Sequence, residues 1–337
     1  MRRGWHTAAS LVQVIRPSLA LAAVSNIWFV VLWQARFEGA GLALRHGAPK
    51  AMALTAGVAV GLYVCGVCLN DVLDVRRDRL FAPHRPIPSR RLTATHATIA
   101  AMVSLLAALL CATALGRASV VFALACAGAV VAYNALGKGL PAIGLLLLGL
   151  IRLMLMASGA PTLEFWWPGW LAMSHVIVIA ALVHRLQRKR PYLAPQELWI
   201  VAAGWLFVTV GLVYWMAERG GLTPPLVVSP GVGGRTGEPV GAGLWSGPVI
   251  AAAGGMVALA ATLRWRRSDG WAGQVIGRGG MAWLIVYDGS WFAAAGRWRE
   301  ASVFAALLLL MFAAARLDRP WAADARRAEM YPADRTI

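Results

Sequence analysis

Apolar residues form long runs along most of the chain, separated by short polar segments. A helix of about 20 apolar residues crosses the ~30 Å hydrocarbon core of a bilayer. Backbone groups find no water partners in lipid, so runs of this length predict helices. They predict transmembrane helices near residues 18–36, 51–69, 93–115, 118–136, 141–160, 165–183, 198–217, 244–263 and 301–317, with a weaker one at 281–296.

The pattern therefore predicts an all-α fold, a polytopic membrane bundle of nine or ten transmembrane helices. We expect one integral-membrane domain over residues 1–317 and a polar C-terminal tail at 318–337. Residues 218–243, which are rich in Gly and Pro, are expected to form an irregular loop on the outer side. The run from Ser18 to Arg36 is longer than the apolar part of a secretion signal, so we interpret it as a retained span.

The composition agrees with a membrane protein. Of the 337 residues, 59% are hydrophobic and 14% are charged, against about 45–50% and about 25% in soluble domains. This excludes a soluble enzyme and a disordered chain. The formal net charge of +17 would indicate nucleic acid for a soluble protein, but membrane proteins concentrate Lys and Arg near anionic lipids. We therefore expect membrane lipids, and no nucleic acid, as partners.

The distribution of Lys and Arg predicts the orientation. With ten spans and a cytoplasmic N-terminus, 23 of the 32 Lys and Arg lie in cytoplasmic segments and 8 lie opposite. The positive-inside rule favours this topology, which places residues 70–92 and 184–197 on the same cytoplasmic side. Frequent Arg, Ala, Gly and Trp with few Lys is typical of a GC-rich bacterial genome, so we predict a bacterial inner membrane.

Acidic residues are sparse, and a group of them ends the second predicted span. Asp71, Asp74 and Asp78 lie within eight residues and follow Asn70. In a helix, positions i, i+3 and i+7 share a face, where like charges repel one another. A hard cation such as Mg²⁺, which prefers oxygen ligands, would explain such a face. The alternative interpretation is a charged helix end whose aspartates pair with nearby arginines in solvent.

Two motifs resemble those of a known family. The segment NDVLDVRRD at 70–78, followed by HRPIPS at 84–89, resembles the NDxxDxxxD and RPIPS signatures of UbiA-type intramembrane prenyltransferases. Arg16-Pro17 at the first span, and Tyr133 followed by Lys138 after the fourth, are also similar to family features. The resemblance implies a UbiA-like bundle that transfers an isoprenoid chain from a prenyl diphosphate to an unidentified acceptor, with Mg²⁺ as cofactor.

The resemblance also implies roles for individual residues. The predicted metal ligands are Asn70, Asp71, Asp74 and Asp78. The predicted catalytic residues are Asp71, Asp74, Tyr133 and Lys138, with Tyr133 as the aromatic ring that shelters an allylic cation. As an alternative, Tyr133 is an interfacial anchor. The predicted substrate-binding residues are basic, namely Arg85, Lys138, Arg152, Arg185, Arg188 and Lys189.

The chain departs from the family pattern in one loop. A second aspartate motif, DxxxD, normally follows the sixth helix, but here the loop reads HRLQRKRP at 184–191. Between Asp78 and Glu197 the only acid is Glu164. Either the basic residues of the loop bind the diphosphate directly or the protein has lost activity. With Arg152 and Asp288 inside predicted spans, the pattern is similar to the divergent EboC-like subgroup of the family.

Ionisable residues at membrane depth are costly unless they face a polar cavity or each other. Arg152 and Asp288 are therefore functional candidates. The alternative for Arg152 is a structural ion pair, and the alternative for Asp288 is that residues 281–296 do not span the membrane. Two other functions compete with a prenyltransferase. A catalytically silent homologue would bind a lipid diphosphate without transferring it. A secondary transporter usually shows repeated halves with interrupted helices, and the sequence shows no such repetition.

Overall fold

The structure is a computed structural model that describes residues 2–224 and 243–316. Most of the expected outer loop and the whole C-terminal tail lie outside the described residues. Within the described ranges all regular secondary structure is helical. The α-helices are α1 Arg2–Ile15, α2 Pro17–Phe37, α3 Leu42–His46, α4 Ala48–Leu73, α5 Val75–Phe81, α6 Ala94–Leu115, α7 Arg117–Ala132, α8 Pro141–Gly159, α9 Trp167–Leu186, α10 Pro195–Arg219, α11 Ser246–Arg264, α12 Asp269–Ala294 and α13 Trp298–Ala314.

Each of the ten predicted spans corresponds to a long helix, which confirms the all-α membrane bundle. In the described part of the chain, eight helices are long and apolar enough to cross a membrane. Neither α12 nor α13 is among these eight. The first carries charged residues along its 26 residues, and the second has 17 residues. The weak run at 281–296 is the second half of α12, which begins at Asp269.

Local chemistry sets where the helices begin. Proline occupies the first turn of α2, α4, α8, α9 and α10, where its missing N–H costs no hydrogen bond. The Thr93 hydroxyl accepts from the backbone N–H of His96 at the start of α6, and Ser268 caps α12 in the same way. Gly116, at φ 128°, joins α6 directly to α7 with a backbone conformation that other residues rarely adopt.

Helix α2 lies at the centre of the bundle and contacts α4, α8, α12 and α13. Aromatic rings close the end of the bundle at which α2 finishes. Trp33 stacks on Phe165 at 5.3 Å between ring centroids, and Phe165 contacts Trp291 edge-on at 5.6 Å. These rings are almost fully buried, so this end is densely packed. The polar residues Asp71, Asp74 and Asp78 lie at the opposite end, where α2 begins and α4 ends.

Candidate active site

The bundle end that carries Asp71, Asp74 and Asp78 is called the aspartate end below. Helix α4 stops at Leu73, and Asp74, with φ −84° and ψ 0°, separates it from α5. Asp71 and Asp78 are buried, while Asp74 is partly exposed. Helical hydrogen bonds run through this point, from the Asp74 N–H to the Asn70 carbonyl and from the Asp78 N–H to the Asp74 carbonyl, so the three aspartates stay on one nearly continuous helical segment.

Arg85 joins the two buried aspartates. Its guanidinium lies 2.6 Å from the Asp78 carboxylate and 4.0 Å from that of Asp71. A compact turn returns Arg85 to α5, with the Arg85 N–H donating to the Ala82 carbonyl and the Ser89 N–H donating to the Arg85 carbonyl. Burial raises the pKa of Asp78 above its ordinary value, and the Arg85 cation opposes that rise. The RPIPS segment thus supplies the countercharge of the aspartate segment.

Lys138 holds the third aspartate. Its ammonium lies 2.8 Å from the Asp74 carboxylate. The preceding residues, Tyr133–Gly137, form a π-helical turn, a widened turn that occurs often at functional sites. The backbone at Gly137 approaches Gly144 so closely that a Cβ on Gly144 would collide with the Gly137 carbonyl. This close approach fixes the turn against α8 and places Lys138 beside α4.

A cavity of about 290 Å³ opens between α2, α4, α7 and α8. Its walls are mostly apolar. Among the residues predicted from the sequence, four line it: Asn70, Asp71, Tyr133 and Arg152. The lining does not include Asp74, Asp78, Arg85 or Lys138. These four residues form the ion pairs just described, beside the lining residues Asn70 and Asp71. The cavity is thus an apolar space with an acidic and amide rim at the aspartate end.

Arg152 lies on the inner part of the cavity wall and is 9% exposed. Its guanidinium donates to the Asn26 side-chain oxygen at 3.3 Å and contacts the Met281 sulfur at 3.2 Å. The Asn26 amide nitrogen in turn donates to Asp288 at 2.8 Å, and the Ser25 hydroxyl donates to the same carboxylate. Arg152 and Asp288 are therefore connected in the described structure by a relay through Asn26 that joins α2, α8 and α12.

The basic loop after α9 faces the aspartate end but does not line the cavity. Arg185, Arg188 and Lys189 are exposed, and Arg188 lies 3.5 Å from the Asp269 carboxylate at the start of α12. The positive charges of Arg77 and Arg85 act on the Lys189 ammonium. The loop is therefore close enough to influence an anion at the rim, although among the described residues it makes no ion pair with Asp71, Asp74 or Asp78.

Sequence reasoning missed several polar residues of the site. Tyr63 and Asn134 line the cavity, as does Arg16, a family feature with no role predicted from the sequence, and Asn26 accepts a hydrogen bond from Arg152. Asn134 is 6% exposed, and its side-chain oxygen is buried without a hydrogen-bond partner in the described structure. The available signal was a polar residue within an apolar run, since amides inside membrane helices usually have a structural or functional partner.

The aspartate end offers Mg²⁺ only a small set of oxygen donors. Among the described residues, no group of three or more His, Cys, Asp or Glu side chains is placed to hold a metal ion. Mg²⁺ commonly uses one or two carboxylates and completes its shell with water and substrate phosphates. Asp71 and Asn70, side by side on the rim, provide that smaller set. The residues therefore fit an ion that arrives with a diphosphate, and not a preassembled metal cage.

The family assignment follows from sequence comparison. The UbiA prenyltransferase family model matches residues 27–194, which include the aspartate segment, the RPIPS turn and the basic loop. The chain belongs to this family, as its motifs predicted. No curated protein sequence matches the chain.

Solved structures agree with the fold. A structure of digeranylgeranylglyceryl phosphate synthase in membranes superimposes with a TM-score of 0.54 and 13% identity, covering 88% of this chain and 99% of that chain. A UbiA homologue from Archaeoglobus fulgidus bound to GPP and Mg²⁺ is more distant, with a TM-score of 0.44, 14% identity and coverage of 92% and 99%. The first likeness shows that this chain has the UbiA-type fold.

Proposed function

We propose that this protein is a membrane prenyltransferase that moves an isoprenoid chain from a prenyl diphosphate to an acceptor whose identity is open, with Mg²⁺ held by the aspartate segment. The observation that carries the proposal is the position of Asp71 and Asn70 on the rim of an apolar cavity. A prenyl diphosphate has a hydrocarbon part and an anionic part, and this cavity offers an apolar interior beside a polar rim.

Arg85 and Lys138 would bind the diphosphate. Each now contacts an aspartate, at 2.6 Å and 2.8 Å, and each side chain is 21% exposed. Partly exposed cations exchange partners more readily than buried ones, because water stabilises them during the change. Asp71 and Asn70 would hold Mg²⁺, and Asp74 and Asp78 would join them once Lys138 and Arg85 turn to the diphosphate. The ion would supply charge neutralisation to the departing diphosphate.

The cavity wall would protect the allylic end of the chain once the diphosphate departs. Tyr133 lines the cavity next to the rim, and the face of an aromatic ring attracts positive charge. The apolar side chains around the allylic carbon keep water away from that carbon, where water would otherwise capture the cation. These residues therefore orient and shelter the chain, while the rim cations hold the leaving group.

A metal-independent lipid-diphosphate-binding homologue is the second candidate. It is favoured by the basic loop, which has Arg and Lys where the family has a second aspartate motif, and by the ion pairs that already neutralise the aspartates. In both candidates Arg185, Arg188 and Lys189 would interact with diphosphate oxygens, but only the first requires Mg²⁺ and transfers the chain.

Binding and transfer by purified protein test the proposal. We expect geranyl diphosphate to bind in a Mg²⁺-dependent manner and a labelled geranyl group to be transferred into a membrane-lipid extract. Asp71→Ala should remove the Mg²⁺-dependent part of binding, whereas Glu218→Ala, which changes an exposed acid of α10, should not. Binding without Mg²⁺ dependence and without transfer would favour the second candidate, and wild-type binding by Asp71→Ala would reject the metal assignment.

The proposed site faces the cytoplasm of a bacterial inner membrane. Single cysteines at Arg79 and Arg188 test this orientation, because both residues are exposed at the aspartate end. In intact cells neither cysteine should react with a membrane-impermeant thiol reagent. Labelling of either one from outside would reverse the predicted topology.

A further inference from the structure

The cavity carries a charged group at its inner end as well as at its rim. Helix α8 starts at the aspartate end and rises about 17 Å from Pro141 to Arg152, roughly half of the ~30 Å hydrocarbon core. Arg152 lies one turn before Leu155, the last α8 residue of the cavity lining. The inner end of the cavity therefore carries a guanidinium near the middle of the bilayer, within one helical turn of the last α8 residue that lines it.

The surroundings of Arg152 hold it against the cavity wall. Asn26 accepts one of its N–H groups and is itself bound to Asp288, so moving the guanidinium would break a relay across three helices. A guanidinium has five N–H donors. In the described structure it has one long hydrogen bond, at 3.3 Å, and one contact to the Met281 sulfur, which is a weak acceptor. Its remaining donors depend on polar groups within the cavity.

We infer that Arg152 is a charged floor that restricts the donor to short-chain prenyl diphosphates. The inference rests on the proposed function, which places the diphosphate on the rim beside Asp71. A short chain ends before the floor and leaves water on the guanidinium. A long chain displaces that water and provides no acceptor in exchange, which is unfavourable for a buried charged donor. Arg152 is thus a specificity-determining residue whose position separates donors by length.

The first experiment needs only the unmodified protein. Binding of dimethylallyl, geranyl, farnesyl and geranylgeranyl diphosphate to the full chain in lipid nanodiscs is measured with Mg²⁺ present. We expect affinity to increase from dimethylallyl to geranyl diphosphate and then to fall by about tenfold or more at geranylgeranyl diphosphate. A loss of about tenfold in affinity corresponds to one charged donor left without a hydrogen bond. Affinity that is equal for all lengths, or that increases with each added unit, overturns the inference and leaves the proposed function intact.

A variant then tests whether Arg152 is the cause. Arg152→Met is combined with Asp288→Asn, so that removing one buried charge does not leave the other uncompensated. The double variant should bind geranylgeranyl diphosphate about tenfold more tightly than the wild type, with geranyl diphosphate changed by less than about threefold. Asp288→Asn alone should keep the wild-type length preference. An unchanged length preference in the folded double variant overturns the inference.

Failure of the proposed function gives a different result. If no prenyl diphosphate of any length binds, both the proposed function and the role of Arg152 are rejected. If only the variants fail to fold, as judged by thermal unfolding, the wild-type length series still decides. The dependence of affinity on prenyl chain length therefore tests the role of Arg152, whereas binding of a prenyl diphosphate by itself tests only the proposed function.

Discussion

The carboxylates at the aspartate end contact cations directly, whereas Asp288 in the bundle interior reaches Arg152 only through an amide. Asp78 and Asp74 lie 2.6 Å and 2.8 Å from their cations. Asp288 instead accepts hydrogen bonds from Ser25 and Asn26. The cations at this end, Arg85 and Lys138, have partly exposed side chains and can exchange their partners for an anionic ligand. The interior groups are almost fully buried, so they hold the helices in one arrangement.

The largest expected effect breaks the interior relay. Asp288→Leu removes the carboxylate and leaves Arg152 buried without a compensating charge, which should destabilise the bundle by about 3–5 kcal/mol. Thermal unfolding in detergent measures the loss. Asp288→Asn, which keeps an oxygen for Ser25 and Asn26, should lose less. A melting temperature for Asp288→Leu equal to that of the wild type would show that the relay is not structural.

The next effect concerns the buried pair at the aspartate end. Arg85→Gln removes the closest cation of Asp78 and should cost about 1–3 kcal/mol at neutral pH. Burial already raises the pKa of Asp78, and without the guanidinium the pKa should rise further. A folded-state pKa above the unfolded value means that stability falls as pH rises through that interval.

The difference in stability between Arg85→Gln and the wild type should therefore shrink at mildly acidic pH, where Asp78 is protonated. Unfolding measured over a pH series checks this. Arg79→Gln is the control, because it changes an exposed arginine next to Asp78 in α5. This variant should show neither the loss of stability nor its pH dependence. A difference that grows on acidification would contradict the assigned coupling.

A smaller effect on stability is expected at the more exposed pair. Lys138→Gln should cost only about 0.5–1 kcal/mol, because partly exposed ion pairs contribute little. Its effect on geranyl diphosphate affinity should be larger, about tenfold, as for one lost charge-assisted hydrogen bond. Calorimetric titration and thermal unfolding separate the two quantities. A stability loss without a change in affinity would make Lys138 a structural partner of Asp74 alone.

The smallest effect is expected in the basic loop. The double variant Arg188→Gln, Lys189→Gln should weaken geranyl diphosphate binding by about threefold and leave its Mg²⁺ dependence intact, because these cations contact phosphate oxygens and not the ion. Stability should change by less than about 0.5 kcal/mol, since both side chains are exposed. Normal affinity in the correctly inserted variant would show that the loop only follows the positive-inside rule.

The sequence by itself determined the fold class, because apolar runs of membrane length leave the helix as the structure that pairs its own backbone. It also located the two motifs whose residues form the ion pairs at the aspartate end. The order of residues within short segments was enough to predict the fold class and the motifs, because each span is a continuous segment and the aspartates lie within one or two helical turns of each other.

Only the tertiary structure decided which residues meet. Asp74 pairs with Lys138, whereas Asp71 and Asp78 share Arg85, and the spacing of the three aspartates does not predict this partition. Asn26 and Asp288 are 262 positions apart. Their hydrogen bond depends on how α2 and α12 pack, and packing is set by side-chain shape over the whole bundle. The position of Arg152 on the wall near the inner end of the cavity follows from the same packing.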